Sequence, residues 1–393
     1  MSKAFIPYGR QSVSAADVEA VCEALTSDFL TQGPLVTEFE NSVAELSQCK
    51  YAIAANSATS ALHVACLALG VGPGDLVWTT PNTFIASANC ALYCDAQVDF
   101  VDIDPQTYNL CPIQLKEKLE LAKLQNRRLP KVVIPVHFGG HPCDICALHE
   151  LSKEYGFYII EDASHAIGAK FKGQPVGSRY SDICVFSFHP VKVMTTAEGG
   201  MAVTNKEPLA DAMRLLVHQG VTKNKREFQT CSPGDWYYEQ HDLGFNYRMT
   251  ELQAALGISQ LKRLNQFIEK RRERVQNYYQ LLQGLPIQLP SEADYAFSSW
   301  HLFPIVLFEA LEPQRASIFQ YLREQQIGTQ VHYIPVHTQP FYQEKGFAWG
   351  DFPQSEEYYQ RCLSLPLYPD LTYEEQVYVA NALREAIDRA FVA

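Results

Sequence analysis

A lysine follows one of the most apolar segments of the chain, in the sequence FSFHPVKVMTTAEGG. Lys192 comes just after the predicted strand Ile183–Phe188, and an amine beside a buried strand loses hydration, which lowers its pKa and makes it a nucleophile. Taken alone, such a lysine more often reaches solvent from the strand end. Its neighbours favour chemistry, because Ser187 offers a hydroxyl to a phosphate and Gly199-Gly200 allows close approach of backbone.

A carboxylate ends another apolar segment, in FYIIEDASHAIGA. Asp162 is predicted to lie at the carboxyl end of a strand, where open α/β sheets bind their ligands. In an enzyme that uses pyridoxal phosphate, a carboxylate in this position keeps the ring nitrogen protonated, so that the ring accepts electrons. The alternative is a helix N-cap, a common position for Asp. Lys192 and Asp162 together favour the cofactor.

Two further motifs follow predicted strands. NSATSALH, which begins at Asn56, opens a helix whose small residues Ser57, Ala58 and Thr59 leave its N–H groups accessible to an anion. An ordinary Ser/Thr cap explains the motif equally well. Phe84, in TTPNTFIASANC, could stack on a planar ring, although a single aromatic residue here is more often part of the core.

Composition limits the classes of function. The chain has 393 residues, 47% of them hydrophobic, and a net charge of −12, which predicts a compact protein of two domains. An acidic balance disfavours nucleic-acid binding, which needs clustered Lys and Arg. The N-terminus MSKAFIPYGRQ lacks the apolar stretch of a signal peptide, and no apolar run is long enough to span a bilayer. We therefore expect a cytoplasmic protein without a membrane partner.

The cysteines carry little functional information. There are 11, an odd number that cannot pair completely, and in a reducing compartment they are most simply small buried hydrophobes. The segment HPCDICALH, from His141 to His149, contains a Cys-x-x-Cys spacing between two histidines. No second Cys-x-x-Cys follows, and the segment is typical of a helix start, so we predict packing and no metal.

Alternating strand and helix patterns predict a mainly parallel α/β sheet between residues 51 and about 205, with its ligands at the carboxyl ends of the strands. Several of the strands are almost entirely apolar, as in a sheet covered on both faces. The predicted strands are Tyr51–Ala55, Leu76–Thr80, Val98–Ile103, Val132–Val136, Phe157–Ile160, Ile183–Phe188 and Met201–Thr204. The predicted helices between them are Thr59–Leu69, Ile113–Leu121 and Asp144–Tyr155.

The pattern changes at Thr250. Apolar residues then recur at helical spacing as far as Leu282, which predicts one long helix that ends before Gly284-Leu285-Pro286. A smaller α+β unit follows, starting with a strand near His301–Leu307. We therefore predict a large cofactor-binding domain over residues 1–250 and a small C-terminal domain over residues 251–393.

Together these segments resemble a known family. SFHPVKVMTTAEGG, EDASHAIGA, NSATSAL, TTPNTFIAS and GFNYRMTELQAALG are similar to motifs of the DegT/DnrJ/EryC1/StrS family of sugar aminotransferases, and along the chain they appear in the family's order. The resemblance covers residues from about 5 to 370. It implies pyridoxal-phosphate fold type I, the fold of aspartate aminotransferase, with pyridoxamine phosphate as the other form of the cofactor during turnover.

The resemblance also implies roles for individual residues. Lys192 would bind the cofactor covalently and act as the catalytic base, and Asp162 would pair with the pyridine nitrogen. His165 would lie near the ring hydroxyl, and Phe84 would stack on the ring. The cofactor phosphate would be bound by Ala58, Thr59 and Ser187, and by Asn246 of a neighbouring subunit, which implies a homodimer with shared active sites.

A narrower resemblance concerns the sugar. IPYGRQSVSAADVEAVCEALTSDFLTQGP and QVHYIPVH are similar to the branch of the family that aminates UDP-2-acetamido-2,6-dideoxy-β-L-arabino-hexos-4-ulose on the route to pseudaminic acid. That branch implies L-glutamate as the amino donor. The sugar-nucleotide contacts it implies are Tyr8, Asp28, Phe29, Leu30, Thr31, Gln330, Val331, His332 and Tyr333.

Three alternatives to this function differ in what they require. A sugar 3-dehydratase of the family has a histidine in place of the lysine; Lys192 disfavours it, although His189 lies nearby. A transaminase for a dTDP-linked 4- or 3-keto-sugar shares most of the pattern. A non-catalytic binding or regulatory relative should have lost Lys192 or Asp162, and this chain has both.

Overall fold

The computed structural model describes residues 4–177 and 179–392. The strands, in chain order, are β1 Tyr51–Ala55, β2 Leu76–Thr79, β3 Gln97–Phe100, β4 Val132–Ile134, β5 Tyr158–Asp162, β6 Lys170–Phe171, β7 Gln174–Pro175, β8 Ile183–Ser187, β9 Gly200–Thr204, β10 Val221–Thr222, β11 Glu239–Gln240, β12 Ile287–Gln288, β13 Ala296–Phe297, β14 Phe303–Leu307 and β15 Cys362–Leu365.

The α-helices are α1 Ala15–Leu25, α2 Pro34–Ser47, α3 Ala58–Ala68, α4 Ala86–Leu92, α5 Pro112–Leu124, α6 Ile145–Tyr155, α7 Glu207–Val217, α8 Glu251–Leu261, α9 Leu264–Leu281, α10 Arg315–Glu324, α11 Pro340–Gln343, α12 Pro353–Arg361 and α13 Tyr373–Val392. Short 3₁₀ turns occupy Phe138–Gly140, Glu309–Gln314 and Val336–Thr338.

A seven-stranded sheet in the order β1-β9-β8-β5-β4-β2-β3 forms the centre of the larger part of the molecule. β3, β2, β4, β5 and β8 run parallel, and only β9 pairs antiparallel with its neighbours β8 and β1. Every residue of β4, β8 and β9 is buried, as expected for a sheet covered by helices on both faces. The predicted mainly parallel α/β architecture is confirmed.

All seven predicted strands are present, with ends shifted by up to three residues. The largest differences are at the carboxyl ends, where the predicted Val98–Ile103 and Val132–Val136 end at Phe100 and Ile134. Beyond these points the chain leaves the ladder although its residues stay apolar; Val136 keeps only an isolated bridge to Asp162. Hydrophobicity therefore extends past the strand into the loops that follow it.

The single long helix predicted from Thr250 to Leu282 is wrong, because the chain forms α8 and α9 with a break at Lys262 and Arg263. Arg263 adopts φ −106° and ψ 3°, outside the helical range. Its guanidinium donates to the buried carboxylate of Asp17 and to the carbonyl of Ser12. A tertiary ion pair thus stabilises a break that the apolar spacing does not show.

A second core surrounds the three-stranded sheet β12-β14-β15. β14 is the strand predicted near His301–Leu307. The N-terminal arm belongs to this core through Ile6, whose backbone pairs with Ile327. α9 contributes Leu264 to the large core and Tyr278 to the small one. The division at residues 250/251 remains a proposal, since α8 packs on α1 and α2.

The HPCDICALH segment sends its side chains to different partners. The amide of Ala293 donates a hydrogen bond to His141 Nε2 (3.0 Å), whereas the buried Cys143 Sγ donates to the carbonyl of Val136. Across residues 4–177 and 179–392, no three His, Cys, Asp or Glu side chains gather in a metal-binding group. Within the same ranges no helix combines the length and apolar character needed to cross a membrane.

Candidate active site

A cavity of about 750 Å³ lies at the carboxyl ends of β5 and β8, beside the N-terminus of α3 and the loop between α10 and α11. Most of the predicted site residues line it. From the large part of the molecule these are Ala58, Thr59, Phe84, Asp162, His165, Ser187 and Lys192. From the N-terminal arm and the loop at residues 330–333 they are Tyr8, Gln330, Val331, His332 and Tyr333.

Lys192 lies in the turn after β8, where its amide donates to the carbonyl of His189 (2.9 Å). The side chain lines the cavity and is half-buried. Burial lowers the pKa of Lys192 to about 8, although the negative charge of Asp162 acts in the opposite direction. Near neutral pH a usable fraction of this amine is therefore unprotonated and nucleophilic.

Asp162 ends β5 and is 5% exposed. Its Oδ2 accepts a hydrogen bond of 2.6 Å from the Ser87 hydroxyl, and its Oδ1 accepts one of 3.0 Å from the amide of Ser164. Two donors leave acceptor positions open on a carboxylate. Asp162 can therefore pair with a protonated ring nitrogen in the cavity.

An anion subsite is built from backbone at the start of α3. Ser57 caps this helix by accepting from the amide of Ser60 (3.1 Å). Among the described residues the amides of Ala58 and Thr59 have no acceptor, and the hydroxyl of Ser187 lines the same cavity. Free N–H groups at a helix start together with a hydroxyl suit a phosphate.

Gly200 allows this arrangement. It lies in β9 directly under the start of α3, and a Cβ there would come within 2.5 Å of the Ala58 nitrogen. Any side chain would therefore push the helix N-terminus away from the sheet. The close approach of backbone expected for Gly199-Gly200 occurs at this contact.

His165 and Tyr333 form a hydrogen-bonded pair in the cavity wall. The amide of Gly139 donates to His165 Nδ1 (3.2 Å), so in the neutral ring the proton is on Nε2, which then donates to the Tyr333 oxygen (3.1 Å). Burial lowers the pKa of His165, with the charge of Lys192 adding to the effect, which keeps the ring neutral. The Tyr333 hydroxyl accepts from His165 and keeps its own proton for a group in the cavity.

The N-terminal arm completes the wall opposite the sheet. The amide of Gly328 donates to the Ile6 carbonyl (2.7 Å), and that of Leu367 to the Tyr8 carbonyl (3.0 Å). These hydrogen bonds place the centre of the Tyr8 ring 5.4 Å from the centre of the His332 ring. Residues that are far apart in sequence thus meet in one wall of the cavity.

Phe84 lines the same cavity but is 58% exposed, and its ring centre is 6.5 Å from that of Tyr333. The other predicted residues do not line this chain's cavity. Asn246 is exposed and pairs through its backbone with His218. Thr31 pairs with Thr250. The rest of the predicted stretch is Asp28, Phe29 and Leu30, of which Asp28 and Phe29 line a different cavity.

Sequence reasoning missed several lining or supporting residues. Ser87 holds Asp162, and the ring centre of His301 lies 4.4 Å from that of His165. Ser164 also lines the cavity. No sequence signal separates Ser87 from the other small residues of TTPNTFIASANC. His301 precedes a strand of the second core, so its position depends on how the two cores pack.

The donor set fits pyridoxal phosphate. Lys192 offers an amine of lowered pKa to an aldehyde, and the carboxylate of Asp162 suits a protonated pyridine nitrogen. The unpaired amides at the start of α3, with the Ser187 hydroxyl, suit the phosphate. One cavity holds all three groups.

Comparison with known proteins points the same way. The model of the DegT/DnrJ/EryC1/StrS aminotransferase family matches residues 11–384. The chain is 39% identical over 391 residues to the spore coat polysaccharide biosynthesis protein SpsC of Bacillus subtilis, with 98% of each chain covered. It is 36% identical over 386 residues to the UDP-4-amino-4,6-dideoxy-N-acetyl-beta-L-altrosamine transaminase of Campylobacter jejuni, again with 98% of each covered.

Solved structures are similar over the whole chain. Helicobacter pylori PseC, an aminotransferase involved in the biosynthesis of pseudoaminic acid, superposes with a TM-score of 0.90 at 29% identity, covering 98% of this chain and all of PseC. Spr1654 of Streptococcus pneumoniae was solved in PMP and PLP forms, which superpose with TM-scores of 0.89 and 0.88 at 28% identity. Both forms cover 98% of this chain and at least 99% of their own.

Proposed function

The chain belongs to the DegT/DnrJ/EryC1/StrS aminotransferase family and is a pyridoxal-phosphate-dependent sugar aminotransferase; we propose that it transfers the amino group of L-glutamate to a UDP-linked 4-keto-6-deoxy sugar with a 2-acetamido group. The proposed acceptor is UDP-2-acetamido-2,6-dideoxy-β-L-arabino-hexos-4-ulose. The proposed product is UDP-4-amino-4,6-dideoxy-N-acetyl-β-L-altrosamine. The observation that carries the proposal is one cavity holding Lys192, Asp162 and the sugar-side residues Tyr8 and Gln330–Tyr333.

When bound, pyridoxal phosphate supplies a carbonyl that accepts amines and a ring that withdraws electrons from the carbon losing its proton. Lys192 Nζ would hold the cofactor and, as a free amine, would take a proton from the α-carbon of the donor. The same Nζ would return a proton in the opposite sense when the keto-sugar is aminated. The Asp162 carboxylate would pair with the protonated ring nitrogen in both halves of the reaction.

The remaining residues bind and orient. The amides of Ala58 and Thr59 and the Ser187 hydroxyl would hold the phosphate and so keep the cofactor in place throughout turnover. Phe84, at the cavity rim, would contact the cofactor ring, and His165 would lie near the ring hydroxyl. Tyr333 donates its free proton to a sugar oxygen, because its oxygen already accepts from His165.

The proposed assembly is a homodimer with shared sites. Asn246 is exposed and outside its own cavity, which suits a contact to the phosphate of a neighbouring subunit's cofactor. The stretch Asp28–Thr31 is bound to the same segment of chain, since Thr31 pairs with Thr250 and the Glu251 amide donates to the Leu30 carbonyl (3.0 Å). We place Asp28–Thr31 in the neighbouring site as well.

The test of the assembly is to mix two inactive or weakened variants. Lys192→Ala lacks the base, and Asn246→Ala weakens the phosphate site of its neighbour. A hybrid dimer has one intact site, so the mixture should gain activity over either variant alone. A mixture with proven subunit exchange and no gain contradicts shared sites.

The test of the substrate compares two acceptors with glutamate as donor. One is the UDP-linked 2-acetamido-4-keto sugar, and the other is its dTDP-linked 2-hydroxy counterpart. Each missing hydrogen-bond partner costs about 1–3 kcal/mol, so two should lower kcat/KM by roughly 30-fold to 10⁴-fold. Equal or better efficiency on the dTDP compound contradicts the UDP-acetamido assignment and leaves sugar transamination standing. A product that has lost a hydroxyl without gaining nitrogen indicates a dehydratase.

A further inference from the structure

Asp162 has a supporting hydroxyl on a different element. Ser87 lies on α4 and is 1% exposed, and its Oγ is 2.6 Å from Asp162 Oδ2. Because Ser87 and Asp162 are both buried, water cannot easily replace this bond. The carboxylate therefore depends on α4 for one of its two protein donors.

The direction of the hydrogen bonds follows from the chemistry of the groups. An ionised carboxylate only accepts, so Ser87 is the donor to Asp162. The hydroxyls of Ser87 and Thr83 are 2.8 Å apart, and since the Ser87 proton is directed to Asp162, Thr83 donates to Ser87. The alternative acceptor for Ser87, the carbonyl of Phe84, is farther away at 3.4 Å. The result is an ordered chain from Thr83 through Ser87 to Asp162.

Two fixed donors define the orientation of the carboxylate. Ser87 holds Oδ2, and the amide of Ser164 holds Oδ1 (3.0 Å), which restricts rotation of the group and leaves its remaining lone pairs for the cavity. A carboxylate fixed in this way presents its free lone pairs in one direction, which favours a hydrogen bond with a ring nitrogen in the cavity.

We propose that Ser87, supported by Thr83, is a positioning residue that orients the Asp162 carboxylate toward the cofactor ring nitrogen. This inference rests on the proposed role of Asp162. Ser87 does not itself contact the reacting atoms, so its effect passes entirely through Asp162.

The main test is Ser87→Ala in the full-length enzyme. A hydrogen bond to a charged group is worth about 1.5–3 kcal/mol, which corresponds to roughly 10-fold to 100-fold. We expect kcat to fall within that range with KM for glutamate unchanged. We also expect the dissociation constant of pyridoxal phosphate, measured by fluorescence titration of the cofactor-free protein, to rise several-fold. Ser87→Cys nearly keeps the side-chain volume but has a weaker hydrogen-bond donor. Its kcat and cofactor affinity should lie between those of the wild type and Ser87→Ala.

The matched control is Ser47→Ala. Ser47 is also a buried helical serine, but its hydroxyl donates to the Val43 carbonyl of its own helix (2.7 Å), away from the cavity. Unchanged kcat and cofactor affinity are expected for it. Thr83→Val removes only the hydrogen bond from Thr83 to Ser87. It should lower kcat and cofactor affinity in the same direction as Ser87→Ala, but by less.

A double variant separates this inference from the role of Asp162. Adding Ser87→Ala to Asp162→Asn should cause no further loss of cofactor affinity, because Ser87 acts through the carboxylate. Additive losses overturn the proposal, as does wild-type behaviour of both Ser87→Ala and Ser87→Cys. If Asp162→Asn itself has wild-type turnover, the role of Asp162 fails instead.

Discussion

Two cavities lined by residues in the described ranges are similar in size but differ in the groups that line them. The cavity at the sheet edge measures about 750 Å³, and a second one between α1, α2 and α8 measures about 840 Å³. The second cavity is acidic, with Glu19, Glu23, Asp28 and Glu38 in its lining. Size therefore does not distinguish the two cavities.

The difference lies in how the carboxylates are used. Beside the acidic cavity, Asp17 accepts from the Ser14 amide, the Ser259 hydroxyl, the Gln260 amide group and the Arg263 guanidinium. Burial alone would raise the pKa of Asp17, but these hydrogen bonds and the charge of Arg263 together lower it. Asp162, by contrast, has two donors and an amine across the cavity.

Glu251 belongs to the same class as Asp17. Its carboxylate accepts hydrogen bonds from the backbone amides of Gly33, Leu35 and Val36 at the start of α2. A negative charge at a helix N-terminus stabilises the helix, so Glu251 supports the start of α2. These carboxylates are bound by three or more donors of the protein itself and hold the fold together. Groups with capacity left over, gathered around one cavity, indicate where a ligand binds.

The largest difference in turnover is expected between variants of two lysines, one from each cavity. Lys192→Arg should lower turnover by at least about 10³-fold, because a guanidinium does not become a free amine at neutral pH. Lys262→Arg, in the exposed lining of the acidic cavity, should leave turnover unchanged. Steady-state kinetics with glutamate, together with borohydride reduction and peptide mapping, check both. A cofactor label on any other lysine contradicts the assignment.

The two buried aspartates should separate stability from catalysis. Asp162→Asn should lower turnover by roughly 10²–10³-fold while the cofactor still binds, since an amide cannot hold the ring nitrogen protonated. Asp17→Asn should instead cost about 1–3 kcal/mol of unfolding free energy, with kcat per folded molecule unchanged. Denaturant titration gives the free energy of unfolding of both variants, and steady-state kinetics gives their turnover. Loss of stability without loss of turnover in Asp162→Asn would put it in the class of Asp17.

Two glycines test the anion subsite. Gly200→Ala places a Cβ within 2.5 Å of the Ala58 nitrogen, so the start of α3 must move. Overpacking of this kind costs about 1–3 kcal/mol, and we expect a similar loss in affinity for pyridoxal phosphate, roughly 5-fold to 140-fold. At Gly72 nothing lies within 4 Å of the added atom, so Gly72→Ala is the control. Equal cofactor affinity in the two variants contradicts the subsite.

The smallest effect is the pH dependence of Lys192 in the cofactor-free protein. With a pKa of about 8 for Lys192, its reaction with an amine reagent should rise with pH and level off above 8. At pH 7 about one tenth of the amine is neutral, against about one in 2,500 for an ordinary lysine. The unfolded chain binds the extra proton between these pKa values, so stability should also rise with pH above about 8. A midpoint near the pKa of an ordinary lysine contradicts the lowered pKa of Lys192.

Much of the site could be predicted because local sequence determines it. Asp162 and Ser187 are the last residues of their strands, and Lys192 and the start of α3 follow a strand within a few residues. Carboxyl ends of parallel strands meet at one edge of a sheet, so residues placed there come together whatever the loops do. The same reasoning could not find Ser87, because a serine on a short helix carries no periodic or charge signal.

The sequence by itself determined the strand-helix alternation, the family and the residues at the strand ends, because apolar spacing and short motifs are local properties. Only the tertiary structure decided which groups remain unsatisfied. Arg263 breaks a helix by reaching Asp17, Ser87 reaches Asp162 over 75 positions of chain, and Gly139 sets the tautomer of His165. Each is a contact between distant segments, and its energy depends on burial and geometry that exist only after the two cores have packed.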